Sequence, residues 1–283
     1  MTSTWILTLH CPDRPGIVHA VTAALLTVSA NITEAQQFCD TASGRFFMRV
    51  CFTCEAGPPD ALLGDTVTQL AARFDMQWQL HDSKHKARLL LLVSRQGHCL
   101  NDLLFRTQSG QLNANIVAVA GNHDDHRALV EQRDIPFHHL PVSQDNRAEQ
   151  ETAILQLVEK EQIDLVVLAR YMQILSPALC QQLAGRAINI HHSFLPGFKG
   201  GRPYHQAHER GVKIIGATAH YVTEDLDEGP IIEQGVMHVD HTQTPKDLEH
   251  IGSDIECTVL ARAVRLYVEH RLLLSGKRTI VFR

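Results

Sequence analysis

Short runs of consecutive apolar residues alternate with helical segments from residue 88 onward, and this alternation restricts the possible folds more than any other feature. The apolar runs, which predict strands, cover residues 88–93, 116–120, 165–168 and 187–190. Helices are predicted between or beside them, at residues 99–105, 125–133 and 147–161. Strands that are apolar throughout are typical of a parallel sheet with helices on both faces. The pattern predicts an α/β domain with a doubly wound, Rossmann-like, mostly parallel sheet.

The end of this region has a different pattern. Residues 213–222 and 230–239 alternate more strongly and predict two further strands. The last helix is predicted to start at Thr244-Pro245, because threonine is a good N-cap and proline suits the first helical position. The apolar stripe expected to face the core consists of Leu248, Ile251, Ile255, Val259, Ala263 and Leu266.

The first part of the chain has the pattern strand, helix, strand, strand, helix, strand. These segments are residues 5–10, 17–28, 31–38, 45–53, 62–74 and 76–80. Two βαβ halves of this kind predict a ferredoxin-like domain, with its helices on one face of the sheet. A short polar stretch at residues 82–87 reads as a linker, so we predict domains at 1–83 and 84–283.

Composition excludes several classes of protein. The net charge is −5 and no long basic stretch is present, which argues against a nucleic-acid partner. No apolar run is long enough to cross a bilayer, and no signal peptide is visible, so we expect no membrane association. The seven cysteines are odd in number and irregularly spaced, which favours a reducing, cytoplasmic setting over a disulfide framework.

The densest polar cluster begins at Asn189 and directly follows an apolar strand. Residues two apart in a strand project to the same face, so Asn189 and His191 are expected to point together. They lie at a carboxyl end, where ligands usually bind in such sheets. A neutral amide donor suits a developing oxyanion, and a histidine exchanges protons near neutral pH. A second cluster, from His220 to Gly229, adds a carboxylate at Asp227.

Other readings of these residues stay open at this point. A histidine or asparagine near a strand end is often only structural. Metal binding is not favoured, because adjacent histidines such as His191 and His192 point apart and no paired ligand motif is present. Cys51 and Cys54 form a single C-x2-C pair, for which ordinary buried cysteines are the favoured interpretation.

Three separated segments together resemble the signature of folate-dependent formyltransferases. They are Asn189-Ile-His191, Ser193-Phe-Leu-Pro196-x-Phe-Lys-Gly200 and Thr218-Ala-His220-x-Val-x4-Asp227-x-Gly229. The resemblance covers residues 88–283 and implies catalysis by Asn189, His191 and Asp227, with His220 beside them. It implies no cofactor other than the folate, which is the substrate. The implied folate pocket is lined by Met172, Gln173, Ile174, Leu175, Val222, Thr223, Glu224, Asp225 and Leu226.

The first domain resembles ACT regulatory domains. The resemblance rests on Pro12-Asp13-Arg14-Pro15-Gly16-Ile17 before the helix and Asn31-Ile32 after it. It implies a small ligand, often an amino acid, bound near Asp13, Arg14, Gly16 and Asn31 at a subunit interface of a homo-oligomer. The alternative is that this domain serves only to oligomerise the protein.

The order of the two domains resembles the formyltetrahydrofolate deformylases. That resemblance implies hydrolysis of 10-formyltetrahydrofolate to formate and tetrahydrofolate, which would balance one-carbon pools and supply formate for purine synthesis. Relatives that formylate glycinamide ribonucleotide hold its phosphate in a Gly- and Asn-bearing loop, whereas residues 93–100 here carry bulkier side chains, although Arg95 could still pair with a phosphate. Formyl transfer to an amine acceptor, or folate or amino-acid sensing without turnover, are the alternatives.

Overall fold

The computed structural model describes residues 3–54, 60–143, 145–196 and 203–283. Two compact units are present, and the main break in the chain lies between Lys86 and Ala87. The motif residues 197–200 lie outside the described part of the chain. Among the described residues, no helix is both long enough and apolar enough to cross a membrane.

The first unit has the predicted ferredoxin-like fold. Its strands and helices are Ser3–Pro12 (β1), Ile17–Thr27 (α1), Asn31–Asp40 (β2), Arg45–Cys54 (β3), Asp60–Phe74 (α2) and Gln77–Asp82 (β4). The strand order is β2-β3-β1-β4, and β3 is antiparallel to both β1 and β2. Leu7 and Leu9 of β1 pack with Phe52 of β3 and with the buried face of α1. The periodicity had predicted each of these elements to within a few residues.

The second unit contains the predicted, mostly parallel sheet. Its strands are Ala87–Val93 (β5), Ala114–Gly121 (β6), Phe137–His139 (β7), Leu165–Leu168 (β8), Ala187–His191 (β9), Ile214–Tyr221 (β10) and Ile231–His238 (β11). Among the described residues the order is β11-β10-β9-β8-β5-β6-β7. The five neighbouring strands β9, β8, β5, β6 and β7 are parallel. Strand β10 is antiparallel to both β9 and β11. The carboxyl end of β9, at His191, therefore lies beside Thr218 of β10.

The helices of the second unit include two that the sequence analysis did not identify. They are His98–Gln108 (α3), Arg127–Glu131 (α4), Arg147–Lys160 (α5), Pro177–Gln182 (α6), Pro203–Glu209 (α7) and Pro245–Val268 (α8). The short helices α6 and α7 were not predicted. Helix α6 has a recognisable start, since the Ser176 hydroxyl accepts a hydrogen bond from the Leu179 amide at 3.2 Å. The predicted stripe of α8 is buried except at Ile251, which is half-buried.

The end of the chain corrects the predicted domain division. After α8 come two short strands, Leu272–Ser275 (β12) and Arg278–Val281 (β13), which were not predicted. Residues 269–275 and 280–283 belong to the first unit rather than to the second. The buried guanidinium of Arg49 explains this, because it donates to the carbonyls of Glu269 at 3.0 Å and His270 at 3.1 Å. Phe47 also packs against apolar side chains of this final segment.

Candidate active site

The register between β9 and β10 brings the two predicted clusters together. His220 pairs directly with Asn189, and Thr218 pairs with His191. Because side chains alternate along a strand, these four residues form a square patch on one face of the sheet. Asn189 and His191 therefore share one face as predicted, and the same face also carries His220.

Asp227 connects the histidines of this patch. One carboxylate oxygen, Oδ2, lies 3.2 Å from Nδ1 of His191, and the other, Oδ1, lies 3.7 Å from Nε2 of His220. Both histidines are buried, and Asp227 is only partly exposed. The four residues that sequence analysis placed in the catalytic group thus form one connected series, in which Asn189 contacts His220 and Asp227 joins His220 to His191.

The hydrogen bonds of His220 fix how Asn189 is oriented. Nδ1 of His220 lies 2.8 Å from the backbone carbonyl of Tyr221, which can only accept, so Nδ1 carries the proton. In neutral His220 the other nitrogen, Nε2, is then an acceptor. It receives a hydrogen bond from Nδ2 of Asn189 at 3.3 Å. This hydrogen bond fixes which side of the Asn189 amide carries the nitrogen. The second N–H of that nitrogen remains available to donate.

The loop after β10 holds Asp227 in an unusual backbone conformation. Asp227 has φ of +58°, in the left-handed region that few non-glycine residues adopt. Two residues later, a Cβ on Gly229 would lie 1.7 Å from the carbonyl oxygen of Tyr221. Only glycine permits this close approach, and the amide of Tyr221 also donates to the carbonyl of Pro230 at 2.9 Å. The loop is therefore tied closely to the end of β10.

The electrostatic environment keeps Asp227 ionised. Burial alone would raise its pKa, but the two neighbouring histidines, above all His191 at 3.2 Å, outweigh burial and hold the pKa of Asp227 well below its usual range. Burial, helped by the nearby charges of Arg170 and His191, lowers the pKa of His192 to about 4. The site therefore combines a carboxylate with a His192 that is neutral at neutral pH.

A cavity of about 490 Å³ opens beside these groups. That size lies in the usual range for small-molecule sites. Three large apolar side chains, Met172, Ile174 and Leu226, line this cavity and are each more than half exposed, and an exposed apolar cluster of this kind marks a binding site. Every residue predicted to bind the folate lines this cavity, namely Met172, Gln173, Ile174, Leu175, Val222, Thr223, Glu224, Asp225 and Leu226.

The cavity also has polar lining that the sequence analysis did not assign to the site. Gln96, Arg170, His192 and Tyr204 contribute to it, and the buried Glu256 lies behind them. The signals for these residues were weak, because each is a single polar residue with no repeating pattern around it. A buried glutamate on α8, one residue from the predicted stripe, was the most visible of them.

One group among the described residues has metal-binding atoms close together. Ligand atoms of His98, Cys99 and Glu256 all lie within 4.8 Å of one another. The guanidinium of Arg170 already lies 3.3 Å from the carboxylate of Glu256. A cation placed in this group would meet that positive charge, so the donor set does not suit a metal ion.

The predicted regulatory residues of the first unit lie at two ends of α1. Asp13, Arg14 and Gly16 are in the exposed turn before the helix, where Nη2 of Arg14 donates to the carbonyl of Phe74 at 3.3 Å. Asn31 is exposed at the start of β2, after the helix. Since an 11-residue helix is about 16 Å long, Asn31 is separated from the other three within one unit.

Similarity to known proteins defines the class of this chain. The formyl transferase family model matches residues 87–264, and the ACT domain model matches residues 5–62. A Corynebacterium sp. protein named formyltetrahydrofolate deformylase is 52% identical over 280 residues, which cover 98% of each chain. The chain belongs to the formyltetrahydrofolate deformylase family.

Solved structures agree with this placement. The crystal structure of formyltetrahydrofolate deformylase from Burkholderia mallei has a TM-score of 0.96 and 49% identity, covering 99% of this chain and all of the other. A glycinamide ribonucleotide transformylase from Symbiobacterium toebii has a TM-score of 0.66 and 29% identity, covering 70% of this chain and 95% of that one. Likeness to the deformylases thus extends along the whole chain, whereas likeness to this transformylase does not.

Proposed function

We propose that the protein hydrolyses 10-formyltetrahydrofolate to formate and tetrahydrofolate. The deformylase relatives support this reaction, because they match the chain over nearly its full length. The observation that carries the proposal is the state of His191. Its side chain is buried, Nδ1 is held by Asp227, and Nε2 has no hydrogen-bond partner among the described residues although His191 lines the cavity. A buried ring nitrogen of this kind is suited to meet a reacting group.

The first step is attack by water on the formyl carbon. Asp227 is a weak base, because its pKa is held well below the usual range. The proposed proton acceptor is therefore Nε2 of His191, with Asp227 fixing the ring through Nδ1 and stabilising the imidazolium that forms. General base help of this kind typically gives about 10²–10⁴-fold.

Asn189 supplies the hydrogen bond that the transition state requires. Attack by water places negative charge on the formyl oxygen, and the second N–H of the Asn189 amide is available to donate to it. Because His220 accepts the first N–H at 3.3 Å, the amide is oriented before the substrate binds. His220 is thus a positioning residue in this proposal, acting through Asn189. A preorganised donor of this type is worth about 10²–10³-fold in turnover.

Collapse of the tetrahedral intermediate completes the reaction. The bond between the formyl carbon and N10 breaks, and N10 receives the proton that His191 took from water. The products are tetrahydrofolate and formic acid, which ionises to formate. In the cell this reaction would balance one-carbon pools and supply formate for purine synthesis.

Further parts of the proposal concern setting and control. The seven cysteines are all free thiols, which suits the reducing cytoplasm. Asp13, Arg14 and Gly16 are exposed in the turn before α1. To bind a small effector such as an amino acid, this turn needs further groups from elsewhere. Because Asn31 lies at the other end of the helix, a complete site would draw these residues from two copies in a homo-oligomer.

The test is to supply 10-formyltetrahydrofolate with no amine acceptor and to measure formate and tetrahydrofolate together. We expect both in equal amounts, and loss of both with Asp227→Asn. Asp254→Asn, on an exposed part of α8 away from the cavity, is the matched control and should behave like the unmodified protein. Folate turnover that requires added glycinamide ribonucleotide or another amine would refute hydrolysis.

A further inference from the structure

One wall of the cavity is built from a buried polar network rather than from apolar side chains. Its centre is the carboxylate of Glu256, of which only 1% is exposed. Nε2 of His98 lies 2.7 Å from Oε2 of this carboxylate, and the hydroxyl of Tyr204 donates to Oε1 at 2.8 Å. Nε of Arg170 lies 3.3 Å from Oε2. The network therefore places Arg170 at the cavity wall with its charge compensated.

The guanidinium of Arg170 has a second anchor on the same wall. Its Nε lies 2.8 Å from the side-chain oxygen of Gln96, in the turn after β5. Arg170 is 93% buried, since only 7% of it is accessible, yet it lines the cavity together with His191. Two polar groups from two different elements thus hold one long side chain in place.

The backbone at Arg170 shows that this side chain is retained against a conformational cost. Arg170 has φ of +64°, in the left-handed region that favours glycine. In this region the Cβ of a non-glycine residue lies too close to the following carbonyl oxygen, which destabilises the conformation. Such outliers persist only when their surroundings fix them, and they cluster at functional sites. The backbone alone would favour glycine, so the presence of arginine points to a use for the side chain.

Tyr204 is fitted to the network from the opposite side. A Cβ at Gly252 of α8 would lie 1.9 Å from the Tyr204 hydroxyl oxygen. Glycine stabilises a helix interior less than alanine does, so this close approach is also kept at the expense of helix stability. Burial and the Glu256 carboxylate raise the pKa of Tyr204, which keeps its hydroxyl a donor.

We propose that Arg170, held by Glu256 and Gln96, fills the side of the cavity from which an amine would approach the formyl carbon, and thereby determines that water is the acceptor. The inference rests on the proposed hydrolysis. The apolar rim around Met172 and Leu226 suits the flat ring of the folate. An acceptor that approaches His191 must then come along the polar wall. Water passes beside Arg170, whereas a primary amine with its substituent needs the volume that the side chain occupies.

Removal of Arg170 should therefore change the product. In the altered site the nitrogen of a primary amine attacks the formyl carbon and loses one proton to His191. The bond to N10 then breaks, N10 takes that proton, and the products are a formamide and tetrahydrofolate. The ratio of formamide to formate measures the choice of acceptor. A variant that is merely destabilised loses both products together and leaves this ratio unchanged.

The experiment uses the double variant Arg170→Gly with Glu256→Gln. Glycine suits the left-handed backbone, and glutamine avoids leaving a buried carboxylate unpaired. The matched control is Arg170→Met with Glu256→Gln, which removes the same charges but refills the volume. Each protein receives 10-formyltetrahydrofolate with a series of glycinamide concentrations, and formate and N-formylglycinamide are measured against an enzyme-free blank.

We expect formate as the only product from the unmodified protein and from the methionine control. The glycine variant should raise the ratio of N-formylglycinamide to formate at least tenfold. If it produces formate with no rise in that ratio, or if the unmodified protein transfers as readily, the proposed role of Arg170 is wrong. Absence of formate from the unmodified protein would instead refute the proposed hydrolysis itself.

A second variant covers the case in which the glycine variant does not fold, as judged by thermal unfolding. Gln96→Ala removes one anchor of the guanidinium without leaving a buried charge unpaired. It should raise the same product ratio by a smaller factor. An unchanged ratio in a folded Gln96→Ala protein would then count against the proposal.

Discussion

Replacement of Gly229 by alanine tests whether the position of Asp227 depends on the close approach of its loop to β10. The new Cβ would lie 1.7 Å from the Tyr221 carbonyl oxygen, whereas ordinary contacts begin at 3.4 Å. The two groups must separate by the difference, 3.4 − 1.7 = 1.7 Å. Both are backbone groups, so the shift passes to Asp227, two residues away. A misplacement of about 1 Å in a catalytic group can reduce the rate about 10²-fold.

We therefore expect Gly229→Ala to reduce formate release at least about 10²-fold, measured as kcat at saturating 10-formyltetrahydrofolate. Overpacking typically reduces the free energy of unfolding by about 1–3 kcal/mol, which thermal unfolding can measure. Gly64→Ala is the matched control, because a Cβ there meets nothing within 4 Å and the residue lies inside α2. It should keep full activity and not lower stability. Full activity in Gly229→Ala would refute the reasoning.

Two further predictions concern the same cavity. Asn189→Ala should reduce turnover about 10²–10³-fold while equilibrium titration shows little change in tetrahydrofolate affinity, and a parallel loss of affinity would assign Asn189 to binding. His192→Gln should make stability less sensitive to acid. The folded pKa of about 4 lies below the ordinary 6.5, so the folded state binds fewer protons and the unmodified protein loses up to about 3 kcal/mol as pH falls from 6.5 to 4. Equal pH slopes in urea unfolding would contradict this.

The sequence predicted most of the fold because apolar residues recur with different periods in strands and in helices. Strand β7 could not be predicted, because three residues are too few for a period to show. The last two strands depend on groups far away in the chain. Arg49 binds the carbonyls of Glu269 and His270, and a bond across about 220 residues leaves no local pattern.

The candidate site could be predicted only in part. Alternation along β9 places Asn189 and His191 on one face, which local spacing alone indicates. It does not give the register with β10, which sets His220 opposite Asn189. Arg170 was also invisible to pattern analysis, because a left-handed residue after a strand has no marker when it is not glycine.

The arrangement of the site explains why one antiparallel strand matters in an otherwise parallel sheet. If β10 ran parallel to β9, the two strands would end at the same edge of the sheet. The loop after β10 would then start at the edge where β9 ends. Because β10 runs antiparallel, it delivers Thr218 and His220 opposite His191 and Asn189. It then turns within a few residues, which brings Asp227 back over both histidines. Strand direction thus turns two short motifs, separate in sequence, into one hydrogen-bonded group.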